Sequence, residues 1–324
     1  MTLRIGVIGC GSIARRAHLP ALKQCDDVDV VAFASRTLAS AEAAAGEWGG
    51  GDVTDDWRAV IDRDDVDAVV VCTPNALHCE QTVAAANARK HVLVEKPMAA
   101  TLEQADEMNA VAEGAGVVLR VAHNLRYVPA VIAAQQAVTK VGTIVAVRLA
   151  YGHAGPHDWA GATWFFDAAQ SGGGALIDLG IHGLDLIRFV TGLEATEVTC
   201  MLTGDGAVED AAFITIGLDG GAAALVHVSW VTRPPPEFAL GIYGSDGTLS
   251  LGFGGLTFRS ASGTKESIEG TPVTATPCSD FVRVVRGEAP EGPAASGDEG
   301  RAALAIVAAA YESARTGKRQ MVAR

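Results

Sequence analysis

The stretch Leu3-Arg4-Ile5-Gly6-Val7-Ile8-Gly9-Cys10-Gly11-Ser12-Ile13-Ala14 decides the fold. An apolar run too short for a helix stops at Ile8, a loop of the form Gly9-x-Gly11-x-x-Ala14 comes next, and an amphipathic segment continues over residues 14–24. A strand, a glycine loop and a helix in that order meet the context that a dinucleotide-binding turn requires. Gly9 permits the tight turn, Gly11 lets the backbone approach a pyrophosphate, and Ala14 allows the helix to pack closely on the strand. The amides of Ser12 and Ile13, at the helix N-terminus, face the negative charge. The alternative is a glycine-rich turn without a ligand, which leaves three small residues at ligand spacing unexplained.

Outward from this loop, short apolar runs alternate with longer amphipathic ones. Strands are expected at residues 4–8, 29–33, 68–72, 91–94 and 117–121, and helices at 38–47, 78–88 and 102–113, the last opened by Thr101 as N-cap. The near-continuous Val, Ile and Leu content suits parallel strands covered by helices on both faces. Residues 1–122 thus read as a doubly wound, Rossmann-type domain. After Pro129 the texture changes. One helix over residues 131–139 precedes strand-like segments at 144–151, 198–202, 211–218, 222–230, 239–243 and 249–253, joined by glycine turns such as Asp219-Gly220-Gly221. Residues 123–324 are therefore expected to form an α+β domain with one open-faced antiparallel sheet. A Pro- and Gly-rich stretch at 287–297 leads into a last helix at 299–314, with the option of packing back on the first domain.

At 324 residues, 49% of them hydrophobic, the chain is about two domains long and can fill a large core. Its net charge of −13 and the lack of any Lys or Arg run argue against nucleic acid or a membrane surface as partner. No apolar stretch approaches the ~20 residues of a membrane span. The six cysteines, at 10, 25, 72, 79, 200 and 278, include no CxxC pair and no histidine at a metal-ligand interval, so they read as reduced thiols and no metal is expected. With the first strand beginning within a few residues of Met1, the reading is a cytoplasmic enzyme.

The residue that reads the adenosine ribose belongs at the end of the second strand, where an acid favours NAD. That place holds Ser35, with Arg36 after it. A hydroxyl beside a guanidinium can hold a 2′-phosphate through charge-assisted bonds, so NADP is preferred over NAD. Alternatively, Arg36 stacks on adenine or points to solvent.

At Val92-Leu93-Val94-Glu95-Lys96-Pro97 the chain resembles the Gfo/Idh/MocA oxidoreductases, named for glucose-fructose oxidoreductase and inositol dehydrogenase. The likeness covers nearly the whole length. It includes the glycine loop, Cys72-Thr73-Pro74-Asn75-Ala76-Leu77-His78, Asn124-Leu125-Arg126-Tyr127-Val128-Pro129, and the segment from Ser171-Gly172-Gly173-Gly174 through Asp178 to His182. The resemblance implies a Rossmann domain and then a domain with an open antiparallel sheet, acting on sugars, cyclic polyols or related alcohols. It implies catalytic roles for Lys96, Asp178 and His182, and a nicotinamide ribose lined by Thr73, Pro74, Asn75 and His78. It further implies that Glu95 supports the cofactor, that the Lys96-Pro97 bond is cis, and that a second subunit covers the open sheet in a homodimer or homotetramer.

Those residue types suit the chemistry. Hydride transfer between an alcohol and nicotinamide requires a proton to leave or join the carbinol oxygen. Imidazole, with an ordinary pKa of about 6.5, makes His182 the proton carrier, and Lys96, at a strand end on the ligand side of the sheet, would stabilise charge on that oxygen. Asp178, His182 and Asp185, at intervals of four and seven, share one stripe of a helix whose other positions are strongly apolar. The alternative is an ordinary Asp-His pair on a solvated face. Arg126 and Tyr127 can reach substrate, or Arg126 can form an interdomain salt bridge. His153, His157, Trp159 and Trp164 enrich the loop ahead of the glycine triplet, and Trp164 is the best candidate there for shaping a sugar site, against the alternative of covering the core or a subunit contact. Three readings are open: an NAD(P)-dependent dehydrogenase or reductase of a sugar, inositol or cyclic ketone; a redox-neutral enzyme with a recycled nicotinamide, cleaving glycosides or pairing oxidation with reduction; and a dinucleotide sensor, which would not need Lys96, Asp178 and His182 together.

Overall fold

The Val-, Ile- and Leu-rich runs at the start of the chain form parallel strands that are buried on both faces. In the computed structural model, which describes residues 2–159, 162–232 and 236–324, these are β1 (Leu3–Ile8), β2 (Val28–Ala34), β3 (Asp52–Thr54), β4 (Ala68–Val71), β5 (His91–Val94) and β6 (Leu119–Val121). Their spatial order is β6-β5-β4-β1-β2-β3, all parallel, with the short strand Ala295–Ser296 antiparallel on β6. Ile8 pairs with both Val71 and Ala34, and Val71 with Val94, so these four strands end level with one another. That common carboxyl edge carries Gly9, Ser35, Thr73 and Glu95. The edge strand β3, which pairs only with β2, lacks the apolar run that marks the others and was not expected.

Helix Leu102–Ala115 opens as its sequence predicts, with the Thr101 hydroxyl accepting the Gln104 amide at 3.3 Å. The segment after the glycine loop is less regular than expected. A π-helical turn, Ala14–His18, precedes a short α-helix, Leu19–Leu22, because Pro20 has no N–H to give back along the helix.

The chain forms two compact units, one made of Met1–Asn124 and Thr274–Arg301, the other of Leu125–Val273 and Ala302–Arg324. Residues 274–301, expected in the second domain, thus join the first. The reason is an unanticipated helix, Pro277–Val285, whose Cys278, Phe281 and Val282 enter the first unit's core. Its signal was present: Thr276 and Ser279 form a capping box, with Pro277 at the first helical position. The last helix runs from Gly297 to Thr316, so its residues divide between the two units.

The second unit holds β7 (Ile144–Gly152), β8 (Ala195–Thr203), β9 (Ala211–Leu218), β10 (Ala223–Ser229), β11 (Glu237–Gly244), β12 (Gly247–Gly252), β13 (Gly255–Ser260) and β14 (Lys265–Ile268). The order is β14-β13-β12-β11-β7-β10-β9-β8, with Gln320–Met321 added at β8. Six of the neighbouring pairs are antiparallel as expected, but β7 and β10 are parallel, since the long intervening chain can return in the same direction. Strands β13 and β14 extend the sheet beyond the last expected strand, at 249–253. One face packs under helices and the other is open, which gives the alternating burial along β9 and β10. Among the described residues no helix is long and apolar enough to cross a membrane.

Candidate active site

Gly9 has φ +94°, and a Cβ there would stand 2.6 Å from the backbone carbon and oxygen of Cys72, so only glycine lets β1 and β4 end side by side. Gly11 differs. It is exposed, and a Cβ on it would meet nothing within 4 Å. The protein's own packing does not demand glycine there, and with Ser12 and Ile13 exposed beside it the bare loop is a cradle that fits a dinucleotide. Ser35 comes directly after β2, half-buried, its amide bonded to the Thr54 carbonyl at 3.1 Å, and Arg36 lies exposed next to it.

Lys96 lies just past β5, and the Lys96-Pro97 bond is cis, as the resemblance implies. The Lys96 amide donates to Glu95 Oε2 at 3.1 Å, and Glu95 Oε1 pairs with His18 Nε2 at 2.7 Å. Beyond it, His18 Nδ1 stands 3.1 Å from Cys278 Sγ. Burial pushes the Glu95 carboxyl up, but the hydrogen bond from His18 and the charges of His18 and Lys96 outweigh it, and the net pKa is lowered. For His18, burial opposes the charge and the sulfurs of Cys72 and Cys278 favour it, leaving its pKa well above the ordinary range. Since burial raises the Cys72 thiol and keeps it neutral, Glu95 is the anion that retains the His18 proton.

His78 was expected to line a ribose. Instead its ring is fully enclosed, with Nε2 2.8 Å from the Thr73 carbonyl and Nδ1 2.9 Å from that of Pro97, so it staples the loops after β4 and β5 together. Burial lowers its pKa against the pull of those carbonyls. Asn75 is buried, and Thr73 and Pro74 are half-buried on the same loop, with the Thr73 hydroxyl bonded to Gln81 at 2.6 Å.

In the second unit the glycine triplet is explained by what it touches. Glu209 Oε1 accepts the amides of Gly174 at 3.0 Å and Leu176 at 2.9 Å, and the Tyr311 hydroxyl at 2.8 Å. A Cβ on Gly174 would collide with the Glu209 carbonyl, and one on Gly173 with the Tyr311 hydroxyl. This clamp starts a π-helical turn, Leu176–Gly180, continued by the α-helix Ile181–Thr191. Asp178 and His182 are both buried, which excludes a solvated face for the pair. The fully buried Trp230 donates its indole N–H to Asp178 Oδ2 at 3.0 Å, and Tyr151 meets His182 edge-on with centroids 6.3 Å apart.

The single stripe expected for Asp178, His182 and Asp185 is broken, because a π turn adds a residue and shifts the phase of the helix beyond it. Asp185 faces Arg126 instead, in a two-pronged ion pair at 2.8 and 2.6 Å with both side chains 2% exposed. The Phe189 ring lies against the same guanidinium. Arg126, expected to reach substrate, is thus committed within its own unit, and the salt bridge is not an interdomain one. Tyr127 is half-buried beside it. Trp164 is half-buried and stacked on Phe165 at 3.9 Å, while Phe165 and Phe166 pack edge-on against Trp230. His157 pairs with Asp210 at 2.8 Å.

Three of these contacts escaped sequence reading. His18 had a signal, a histidine among the inward positions Ala14, Leu19 and Leu22. Trp230 and Tyr151 had none, since a ring at a strand end is ordinary until register shows what it meets.

The chain is similar to known proteins over nearly its whole length. Residues 3–123 match the oxidoreductase family GFO_IDH_MocA, described as an NAD-binding Rossmann fold, and residues 131–250 match the GFO/IDH/MocA C-terminal domain. The chain is 32% identical to 1,5-anhydro-D-fructose reductase of Ensifer adhaerens over 97% of both proteins. It is also 32% identical to D-glucoside 3-dehydrogenase of Escherichia coli K12 over 70% of each. Among solved structures, levoglucosan dehydrogenase in complex with NADH and levoglucosan superposes with a TM-score of 0.89 at 25% identity, over all of both chains.

Proposed function

This chain belongs to the Gfo/Idh/MocA family of oxidoreductases, and from that premise we propose that it transfers a hydride between a nicotinamide dinucleotide and a CH–OH group of a sugar or related polyol. The observation that carries the reading is the buried Asp178 and His182 pair, with Asp178 fixed by the Trp230 indole: a carboxylate can hold sugar hydroxyls, and an imidazole can take up and return a proton. When bound, the dinucleotide supplies or accepts the hydride. His182 exchanges the proton of the carbinol oxygen, Asp178 orients the sugar through hydroxyl hydrogen bonds, and Lys96 donates to the reacting oxygen. Gly9, Gly11, Ser12 and Ile13 hold the pyrophosphate, while Thr73, Pro74, Asn75 and Glu95 shape the loops around the nicotinamide end.

Ser35 and Arg36 support NADP over NAD, because no carboxylate stands at the end of β2 to repel a 2′-phosphate. Six free thiols support a reducing, cytoplasmic setting. The open face of the second unit's sheet supports a homo-oligomer.

The test is turnover. Purified protein is offered NADP⁺ or NADPH with a panel of sugars, glycosides, inositols and keto-sugars, and both nucleotide absorbance and sugar products are monitored. Net nucleotide conversion with a sugar is expected, and Lys96→Ala and His182→Ala should each lose about 10²- to 10⁴-fold in rate while keeping nucleotide binding. Sugar products without nucleotide conversion would establish the redox-neutral reading instead, and no sugar chemistry with intact nucleotide binding would leave a sensor.

A further inference from the structure

Tyr151, Phe238 and Phe253 form a single row across the second unit's sheet. Tyr151 of β7 stands opposite Phe238 of β11, and Ala239 of β11 opposite Gly252 of β12, so the next step of that register brings Phe253 beside Phe238. Opposed residues share a face, so all three rings project on the side that carries the opposed trio Leu149, Leu240 and Leu251 two positions farther in. That inner trio is buried, with Gly183 of the helix Ile181–Thr191 lying close over Leu149. The outer row begins where the cover ends: Tyr151 and Phe238 are half-buried and Phe253 is 72% exposed.

The rings touch in sequence. Tyr151 meets His182 at 6.3 Å and Phe238 at 5.6 Å, and Phe238 meets Phe253 at 6.4 Å. From Tyr151 the row crosses two strand spacings, about 10 Å in all. A single pyranose seated at His182 does not reach Phe238 or Phe253, whereas a second ring joined to it does. Apolar ring faces are what sugars and aryl groups stack upon. A second copy of the chain is a poorer occupant, because the exposed apolar residues Met201, Phe213, Leu225 and Tyr243 lie on the opposite face of this sheet.

We propose that Tyr151, Phe238 and Phe253 form a subsite for the ring-bearing aglycone of a glycoside substrate whose sugar reacts at His182. This rests on the reading of the chain as a sugar oxidoreductase. Wild type, Phe238→Ala, Phe253→Ala and the double variant are compared on methyl glucoside, phenyl glucoside and cellobiose. In wild type, kcat/KM for a ring-bearing substrate exceeds that for methyl glucoside by roughly tenfold, the sum of two aromatic contacts; each single variant cuts this ratio about threefold, and the double variant brings it near one. Preference for cellobiose identifies a second sugar as the natural aglycone, and preference for phenyl glucoside an aryl group. A ratio near one in wild type, or one unmoved in the double variant, overturns the subsite. So does a change of oligomeric state in Phe253→Ala by light scattering, which would assign the ring to a subunit contact. If wild type converts none of the three, the functional reading is decided separately by the wider panel. Saturation-transfer NMR with phenyl glucoside then decides the subsite, by whether the phenyl signal is lost in the double variant or survives in it.

Discussion

The proposed preference for NADP turns on a single hydroxyl, that of Ser35, where a carboxylate would oppose it. Replacing it by Asp places a negative charge where a 2′-phosphate would sit, so Ser35→Asp should move the ratio of kcat/KM for NADP⁺ over NAD⁺ at least tenfold toward NAD⁺, the equivalent of ~1.4 kcal/mol. An unmoved ratio would remove Ser35 from nucleotide selection. His18 acts at the same scale, through linkage. Its folded pKa is raised, so the stability it contributes is fully present below about 6.5, the unfolded imidazole value, and is lost as pH rises through the folded one. Glu95 is lowered, so its share is present above the unfolded carboxyl value and is lost as pH falls through the folded one. Wild type should therefore exceed His18→Gln in thermal midpoint by the most near pH 6.5, with the gap narrowing in alkali. A gap that widens with alkalinity contradicts a charged His18 held by Glu95.

The helix Ile181–Thr191 is held from outside by the Arg126–Asp185 pair, which is buried on both sides. Arg126→Ala leaves an uncompensated carboxylate in that helix and should cost the second unit roughly 3–5 kcal/mol, read as a lower urea midpoint, whereas Arg126→Met with Asp185→Leu should recover most of it. Equal losses in the two would show that shape, not charge, is what the pair supplies. This element also shows where the sequence stops being informative. The strands of the first unit were legible because buried parallel strands need unbroken apolar runs. The exposed strand β3 was not, since an edge needs little burial, and the helix Pro277–Val285 went unread although its capping box and apolar face were signals. Asp178 and His182 were legible as a pair, yet their partners were not. The stripe expected for Asp185 assumed an unbroken α-helix, and the π turn at Leu176–Gly180, set by Glu209 and Tyr311 far along the chain, decides which carboxylate meets Trp230 and which meets Arg126.

The sheet of the second unit has two faces with opposite fates. On the open side, register aligns Met201 of β8 with Phe213 of β9 and Phe213 with His227 of β10, so that Met201 at 60%, Phe213 at 41% and the neighbouring Leu225 at 47% exposure form one apolar surface, with Tyr243 farther along. An exposed apolar patch on one sheet face marks an interaction site, and the proposed homo-oligomer would cover this one. A charge at its centre should therefore act on assembly before it acts on folding. Leu225→Asp paired with Phe213→Asp puts two carboxylates, four across the two-fold, into a surface that association would dehydrate. Light scattering should then find the variant at half the mass of wild type or less, with its far-UV circular dichroism retained. Wild-type mass at the same concentration would place the subunit contact elsewhere. Because the row from Tyr151 to Phe253 lies on the other face, the same variant should keep the preference for ring-bearing glycosides even where it no longer assembles, which separates assembly from substrate choice within one sheet.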